Sequence, residues 1–337
     1  MKKYNIGIVG ATGMVGETML RILEERNFPL NQLKLIASTK SEGKVYLFAN
    51  KKITVETLKR DSFQDIDIAL FTAGGSVSKE YAPVAVSSGA VVIDNSNAFR
   101  MDADTPLVVP EINPNKIYSH NGIIANPNCS TIQLVVALKP IYDEVGITRI
   151  IVSTYQAVSG SGRKAVDELM DQTKKYIRKD EFKPDVYPYQ IAFNVLPHID
   201  VFENNGYTKE EMKIINETKK IFDDNSIKIS ATAVRVPVLN GHSESVYIET
   251  KRYISVEKLR KLLDKAKGVL LVDDINKLQY PLPIMINNCD DVLIGRLRND
   301  LSNINGINMW IVANNIRKGA ALNAVQIAEI LINRDVC

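Results

Sequence analysis

The chain is poor in the residues that build metal sites and disulfide frameworks, with three cysteines and three histidines among 337 residues. Cys129, Cys289 and Cys337 stand far apart without metal-ligand spacing, and His120, His198 and His242 are as scattered. Neither a metal centre nor a disulfide-stapled fold is expected. Charge of one sign is lacking too. The 42 basic and 39 acidic side chains leave a net charge of +3 in mixed order, which gives no ground for a nucleic-acid or membrane partner. The basic pairs Lys174-Lys175 and Arg178-Lys179 read as a solvated helix face. No apolar run approaches the roughly 18 residues of a membrane span. The start, Met1-Lys2-Lys3 before Ile6 to Ala11, has too short an apolar run and no cleavage signal for a secretory leader. It reads as a first buried strand, and a cytoplasmic protein is expected. Internal repeats, low-complexity tracts and a clean linker are also missing.

What is present describes a globular chain, 45% hydrophobic and 24% charged, at a length that favours two domains over one core. The first part alternates strand and helix patterns. Strands are expected at Tyr4–Val9, Leu33–Ala37, Ile66–Thr72 and Ala90–Asp94, with helices at Met14–Glu25, burying Leu20 and Leu23, and at Val77–Ser88. That order implies a doubly wound parallel sheet of the Rossmann type. Later the pattern becomes mixed. A strand at Arg149–Tyr155 and helices at Lys164–Arg178 and Thr208–Phe222 precede strands at Lys228–Val236 and Ser243–Tyr253, joined by a hairpin expected across Asn240-Gly241. This predicts a second, α+β domain whose sheet could serve as a dimer surface. Pro184, Pro188 and Pro197 mark irregular connection within it. An apolar-faced helix at Lys318–Asn333 closes the chain. The expected division is 1–128 with 315–337 for one domain and 129–314 for the other.

The segment Gly10-Ala11-Thr12-Gly13-Met14-Val15-Gly16 follows the first strand and opens the first helix. Its glycines let backbone amides approach a dinucleotide pyrophosphate at the positive end of the helix dipole. The spacing is G-x-x-G-x-x-G, so its position after an N-terminal strand carries the reading. At the end of the second strand, an NAD enzyme places a carboxylate for the ribose hydroxyls. Here stand Ser38, Thr39 and Lys40, which suit a 2′-phosphate, with Glu42 nearby as a counter-argument. NADP is therefore expected over NAD.

Cys129 follows Asn126-Pro127-Asn128 and opens an apolar helical pattern, Ile132 to Leu138. Helix-start amides and the dipole favour thiolate, which makes the sulfur a candidate nucleophile. Taken alone, a single cysteine is more often a packed core residue. A nucleophilic thiol beside a nicotinamide points to chemistry at the aldehyde–acyl level through a thiohemiacetal or thioester. Cys129 falls where the two halves join, and there hydride donor and acyl group would have to meet. Such chemistry needs a proton-transfer partner, and His242, in Asn240-Gly241-His242-Ser243, is the candidate. A surface histidine at a turn is the bland alternative for it.

Seven segments in order make the chain resemble the aspartate-β-semialdehyde dehydrogenase family from Gly7 to Gln326. They are Gly10 to Gly16, Asp94 to Arg100, Asn126 to Thr131, Tyr155 to Gly162, Glu210 to Lys213, Arg235 through His242, and Asn315 to Ala321. The resemblance implies NADPH-dependent reductive dephosphorylation of L-aspartyl-4-phosphate to L-aspartate-4-semialdehyde, in the pathway to lysine, threonine and methionine, by a homodimer or tetramer. It makes Cys129 the nucleophile that expels phosphate, His242 the general acid/base and Gln156 the residue that orients the acyl intermediate. It places Arg235 on the substrate α-carboxylate, Arg100 and Lys213 on its phosphate and Glu210 on its amino group. Gly10, Thr12, Gly13, Met14, Val15, Ser38, Thr39, Lys40, Ser159, Gly160 and Asn315 would bind the cofactor. Arg317 and Lys318 are left as surface ion pairs.

Two positions depart from the family pattern: Lys40 stands where Arg is common, without its fork geometry, and Asn314 where Asp is common. Two enzymatic relatives fit less well. An N-acetyl-γ-glutamyl-phosphate reductase has no substrate ammonium for Glu210, and a malonyl-CoA reductase has no use for phosphate anchors. A non-catalytic dinucleotide-binding homologue would be expected to have lost Cys129 or His242.

Overall fold

Alternating apolar residues Ile6 and Ile8 on one side and Val9 on the other, all fully buried, make the first strand the spine of a sheet covered on both faces. The structure is a computed structural model and describes residues 2–287 and 289–333. The chain divides into two compact units, Met1–Asn128 with Ala320–Cys337, and Cys129–Gly319.

The first unit contains β1 (Tyr4–Val9), α1 (Met14–Glu25), β2 (Leu30–Ala37), β3 (Val45–Phe48), β4 (Lys51–Thr57), β5 (Ile68–Phe71), α2 (Gly75–Ser87), β6 (Val91–Asp94) and β7 (Ile123–Ala125). Its sheet runs β3-β4-β2-β1-β5-β6-β7, parallel throughout except for the β3–β4 pair. The doubly wound expectation therefore holds, with an unforeseen antiparallel hairpin at one edge. That hairpin turns at Ala49 and Asn50, whose φ values of 47° and 63° give the left-handed pair that a two-residue hairpin requires. One face is covered by α1, through Met19, Ile22 and Leu23, and by residues Leu322, Val325 and Ala328 of the C-terminal helix. On the other, Ala82 and Ala85 of α2 pack with Val9, Ile36, Phe71 and Val92. Strand order reverses beside β1, so the crevice at its carboxyl end is where such sheets take ligands.

The second unit contains α3 (Cys129–Val145), β8 (Ile147–Gln156), α4 (Arg163–Arg178), α5 (Lys209–Phe222), β9 (Lys228–Arg235), β10 (His242–Thr250), α6 (Val256–Leu263), β11 (Val269–Leu271), β12 (Val292–Asn299) and β13 (Gly306–Ala313). The order is β11-β12-β13-β10-β8-β9. The expected hairpin across Asn240-Gly241 does not form. β8 lies between β9 and β10, parallel to the first and antiparallel to the second. The linking segment is engaged elsewhere, because Val238 O and Leu239 O accept hydrogen bonds from Val158 N and Ser159 N at 2.9 and 3.3 Å. Pro237, lacking an N–H, also cannot donate to a ladder. One face of this sheet is packed by α3, and the other leaves Ile151 and Tyr155 exposed, Tyr155 against Trp310 with ring centroids 5.4 Å apart.

The last helical segment is not uniform. A π-helical turn, Arg317–Ala321, precedes α7 (Leu322–Asn333). Cys289 packs in a small cluster with Ile286, Leu293 and Val312, and Cys337 lies outside the described residues. Among the described residues, no helix is long and apolar enough to cross a membrane.

Gly16 is the tightest joint of the first unit. A Cβ there would lie 2.4 Å from Gly10 O and 2.7 Å from Ala11 Cα, both backbone atoms. Gly16→Ala is expected to lower unfolding free energy by about 1–3 kcal/mol through overpacking, measured as a shift of the urea midpoint at unchanged slope.

Candidate active site

The second unit places the candidate nucleophile at a helix start. α3 begins at Cys129, which is half-buried. Its neighbour in space is the π-helical turn: a Cβ on Gly319 would lie 2.8 Å from Cys129 Cβ, so only glycine lets the backbone approach the sulfur-bearing residue this closely. Gly319 N donates to Asn314 O at 3.0 Å, the wide loop that defines such a turn. Asn314 organises it further. Its Oδ1 accepts from Ile316 N and Arg317 N at 3.1 and 3.0 Å, while its Nδ2 donates to Ile286 O at 3.1 Å. An Asp could accept those two bonds but could not donate the third. Arg317 forms an ion pair with Asp290 at 2.7 Å. Lys318, expected on the surface, is buried.

His242 opens β10 and is fully buried. Its Nδ1 accepts a hydrogen bond from Ala157 N at 3.0 Å, which leaves the proton of the neutral ring on Nε2. Burial, then the Arg235 charge, hold this imidazole well below the ordinary histidine range. The bland reading of His242 as an exposed turn residue is overturned. Arg235, at the end of β9, donates from Nη1 to Ala157 O at 2.7 Å. Ala157, the residue after β8, therefore holds both groups with its backbone. Arg235 Nε and His242 Nε2 are buried without a partner. Gly160 makes room for the pair, since a Cβ there would lie 2.9 Å from Arg235 Nη1 and 3.1 Å from His242 Nε2.

A second cluster adjoins through β8. Gln156 Nε2 donates to Glu210 Oε1 at 3.3 Å and to Thr154 Oγ1 at 3.3 Å. Lys213 Nζ donates to Glu210 Oε2 at 3.0 Å and Asp200 Oδ2 at 2.8 Å. Burial works against the Lys213 ammonium, but the Glu210 and Asp200 carboxylates outweigh it and raise its pKa. The adjacent Glu211 does something different. It closes a capping box with Thr208 and accepts from Ala233 N at 2.9 Å, tying α5 to β9. Ser159 and Asn315 meet through Asn315 Nδ2 and Ser159 Oγ at 3.0 Å, and Asn315 Oδ1 accepts from Gly241 N at 2.9 Å, just before His242.

The first unit carries the glycine loop. Gly10 has φ +89° and no space for a Cβ, which would sit 2.9 Å from Ala73 N. No side chain caps α1 at Gly13, so its first-turn amides suit a pyrophosphate. Thr12 Oγ1 lies 3.1 Å from Ser41 Oγ, linking this loop to the turn after β2. Ser38, Thr39 and Lys40 are exposed there, and Met14 and Val15 open α1. Arg100 is buried, donating to Asn126 O at 2.9 Å and Asn95 O at 2.8 Å.

Comparison with known proteins agrees with this division. A family model described as the NAD binding domain of semialdehyde dehydrogenase matches residues 5–120, and one described as its dimerisation domain matches residues 138–318. An aspartate-semialdehyde dehydrogenase of Aquifex aeolicus is 58% identical over 98% of both chains. The chain belongs to the aspartate-semialdehyde dehydrogenase family. A family member from Bacillus subtilis is 52% identical over 97% of both chains. A crystal structure of aspartate semialdehyde dehydrogenase II from Vibrio cholerae, complexed with ASA, superposes with a TM-score of 0.97 at 50% identity, covering 99% of each chain.

Of the residues that the family resemblance singled out, Cys129, Gln156, Ser159, Gly160, Glu210, Lys213, Arg235, His242 and Asn315 all fall in the second unit; Arg100 and the glycine loop fall in the first. Ala157, Asp200 and Gly319 were assigned no role, and Asn314 was read only as a departure from the family pattern. Ala157 and Gly319 act through backbone, which side-chain chemistry does not announce. Gly160, which the resemblance placed with the cofactor, also stands where a Cβ would meet Arg235 and His242.

Two outcomes are expected. Gly160→Ala should push the imidazole or guanidinium aside and reduce kcat by about tenfold to a hundredfold, read by steady-state kinetics. Because His242 resists protonation when folded, the unfolded state binds the extra proton as pH falls below about 6.5, and stability is lost in that direction. Thermal melts between pH 7.5 and 5.5 should show a smaller loss for His242→Gln than for the native chain.

Proposed function

We propose that this chain catalyses NADPH-dependent reductive dephosphorylation of L-aspartyl-4-phosphate to L-aspartate-4-semialdehyde, through an acyl group carried on Cys129. The observation that carries this reading is the assembly within one unit of a helix-start thiol, a buried histidine beside Arg235, and a cluster of Lys213 with Glu210 and Asp200. Gln133, one helical turn beyond Cys129, donates to the His242 carbonyl at 3.4 Å, so the nucleophile's helix packs under the histidine's strand.

Cys129 thiolate attacks the acyl carbon, and the tetrahedral oxyanion collapses with loss of phosphate to leave a thioester. NADPH supplies the hydride that brings this acyl carbon to the aldehyde level. The second oxyanion expels the thiolate and restores Cys129 without a proton on sulfur. His242 serves both oxyanions by donating from Nε2–H, the neutral electrophilic role that a depressed imidazole pKa permits. Gln156 orients the acyl group without adding charge. Arg235, with Nε buried and unpartnered, meets the α-carboxylate. Glu210 meets the substrate ammonium, while Lys213 and Arg100 meet the phosphate.

The Gly10–Gly16 loop would hold the NADPH pyrophosphate through Gly10, Thr12, Gly13, Met14 and Val15, and Ser38, Thr39 and Lys40 its 2′-phosphate. Ser159, Gly160 and Asn315 would border the nicotinamide. Residues 1–128 with the C-terminal helix form the cofactor domain, and the remainder forms the catalytic and dimerisation domain. The protein acts as a homodimer, and in the cytoplasm, where Cys129 stays reduced. Glu210 disfavours an N-acylated substrate, whose nitrogen carries no charge.

Phosphate-dependent reduction of NADP by L-aspartate-4-semialdehyde tests the reading. The native chain should turn over and Cys129→Ala should fall to background; turnover by the alanine variant would refute it. Lys40→Ala should raise KM for NADP by about tenfold, the worth of one charge-assisted contact, and leave KM for NAD unchanged.

A further inference from the structure

The helix-facing side of β10 carries His242, Glu244, Val246 and Ile248 in alternation, all buried. Glu244 is fully buried where the pattern calls for an apolar residue. Its register partners are Thr154 of β8 and Ile311 of β13, neither of them a cation. Both carboxyl oxygens lack a hydrogen-bond partner, and so does Oε1 of Gln133, whose amide lies beside this carboxyl.

Gln133 stands four residues after Cys129, hence on the same face of α3. Its Nε2 donates to the His242 carbonyl at 3.4 Å. Turning the amide over would set Gln133 Oε1 against that carbonyl oxygen, acceptor on acceptor, so the orientation is fixed. Both Glu244 carboxyl oxygens and Gln133 Oε1 are then buried acceptors without a hydrogen-bond partner, an arrangement whose desolvation penalty is severe. A single proton resolves it. We propose that Glu244 is kept as a neutral carboxylic acid that donates its O–H to Gln133 Oε1, and that this pair sets the spacing between the Cys129 helix and the His242 strand end. Burial likewise holds the Glu244 carboxyl well above the usual carboxylate range, outweighing the Gln133 side chain, which pulls the other way.

Glu244 is thus a positioning residue, acting through Gln133 on the two groups that the proposed function makes the reacting pair; the inference rests on that reading. Two measurements test it. The infrared spectrum of the folded native chain at pH 7.5 should contain a carboxylic-acid C=O stretch above the amide band, and Glu244→Gln should lack it. A native spectrum without that band, or a band that survives the substitution, overturns the protonation. This result does not depend on turnover, so it stands apart from failure of the proposed reaction.

In kinetics, Glu244→Gln keeps a donor for Gln133 Oε1 and should retain kcat within about twofold, whereas Glu244→Met, close in volume but without a donor, should lose about tenfold or more in kcat at similar KM. Equal loss in both variants, or none in the methionine variant, overturns the brace. Should the methionine variant not fold by circular dichroism, Gln133→Leu removes the same bond from the helix side and is held to the same criterion.

Discussion

Ala157 has no side-chain chemistry, yet the site depends on its two backbone polar groups. Its N–H fixes Nδ1 of His242 at 3.0 Å and its C=O fixes Nη1 of Arg235 at 2.7 Å. Both groups are buried, where an unpaired polar atom is costly, and both are anchored by backbone that has no rotamer freedom to lose. The anchoring point is the end of β8, the strand that separates β9 from β10. Each neighbouring strand delivers one functional side chain to that point: β9 ends in Arg235 and β10 begins at His242. The topology that breaks the expected hairpin is therefore what brings the two residues together.

Electrostatics follow from the same placement. Arg235 beside a fully buried imidazole favours its neutral form, and the bond from Ala157 N leaves its proton on Nε2. In the proposed reaction the histidine would donate from Nε2 toward an oxygen that becomes negative. Across β8, the Glu210, Lys213 and Asp200 cluster pairs one cation with two carboxylates. A buried arginine and a cluster with acidic excess, held by one strand end, suit the proposed substrate, which carries both a carboxylate and an ammonium.

The doubly wound half was legible because its signal is local: buried strands alternate with amphipathic helices, and a glycine loop follows the first strand. Where order depends on distant partners, legibility failed. Asn240-Gly241 is a strong hairpin signal, overridden by the pairing of Val238 and Leu239 with the turn after β8. The β3–β4 hairpin escaped notice for the opposite reason, since Ala49 takes a left-handed conformation with no glycine to advertise it. The site's charged residues could be named from motifs, but the motif Glu210-Glu211 does not say which glutamate faces the site. The capping box spelled by Thr208 and Glu211 does say so, because it assigns Glu211 to the helix end and leaves Glu210 with Gln156 and Lys213.

Glycine completes the site by what it leaves out. Gly160 and Gly319 each stand where a single methyl group would press on a reacting residue, the first on His242 and Arg235, the second on Cys129. Neither has the positive φ that usually demands glycine, so the requirement is one of space. Backbone brought this close limits the rotamers open to the side chain it touches. The π-helical turn at Arg317–Ala321 serves that end: its wider loop carries Gly319 onto Cys129, and Asn314 secures the turn with three hydrogen bonds. Cys129, His242 and Arg235 each thus lie against main chain, which in the proposed reaction would leave the charged side chains to discriminate among acyl groups.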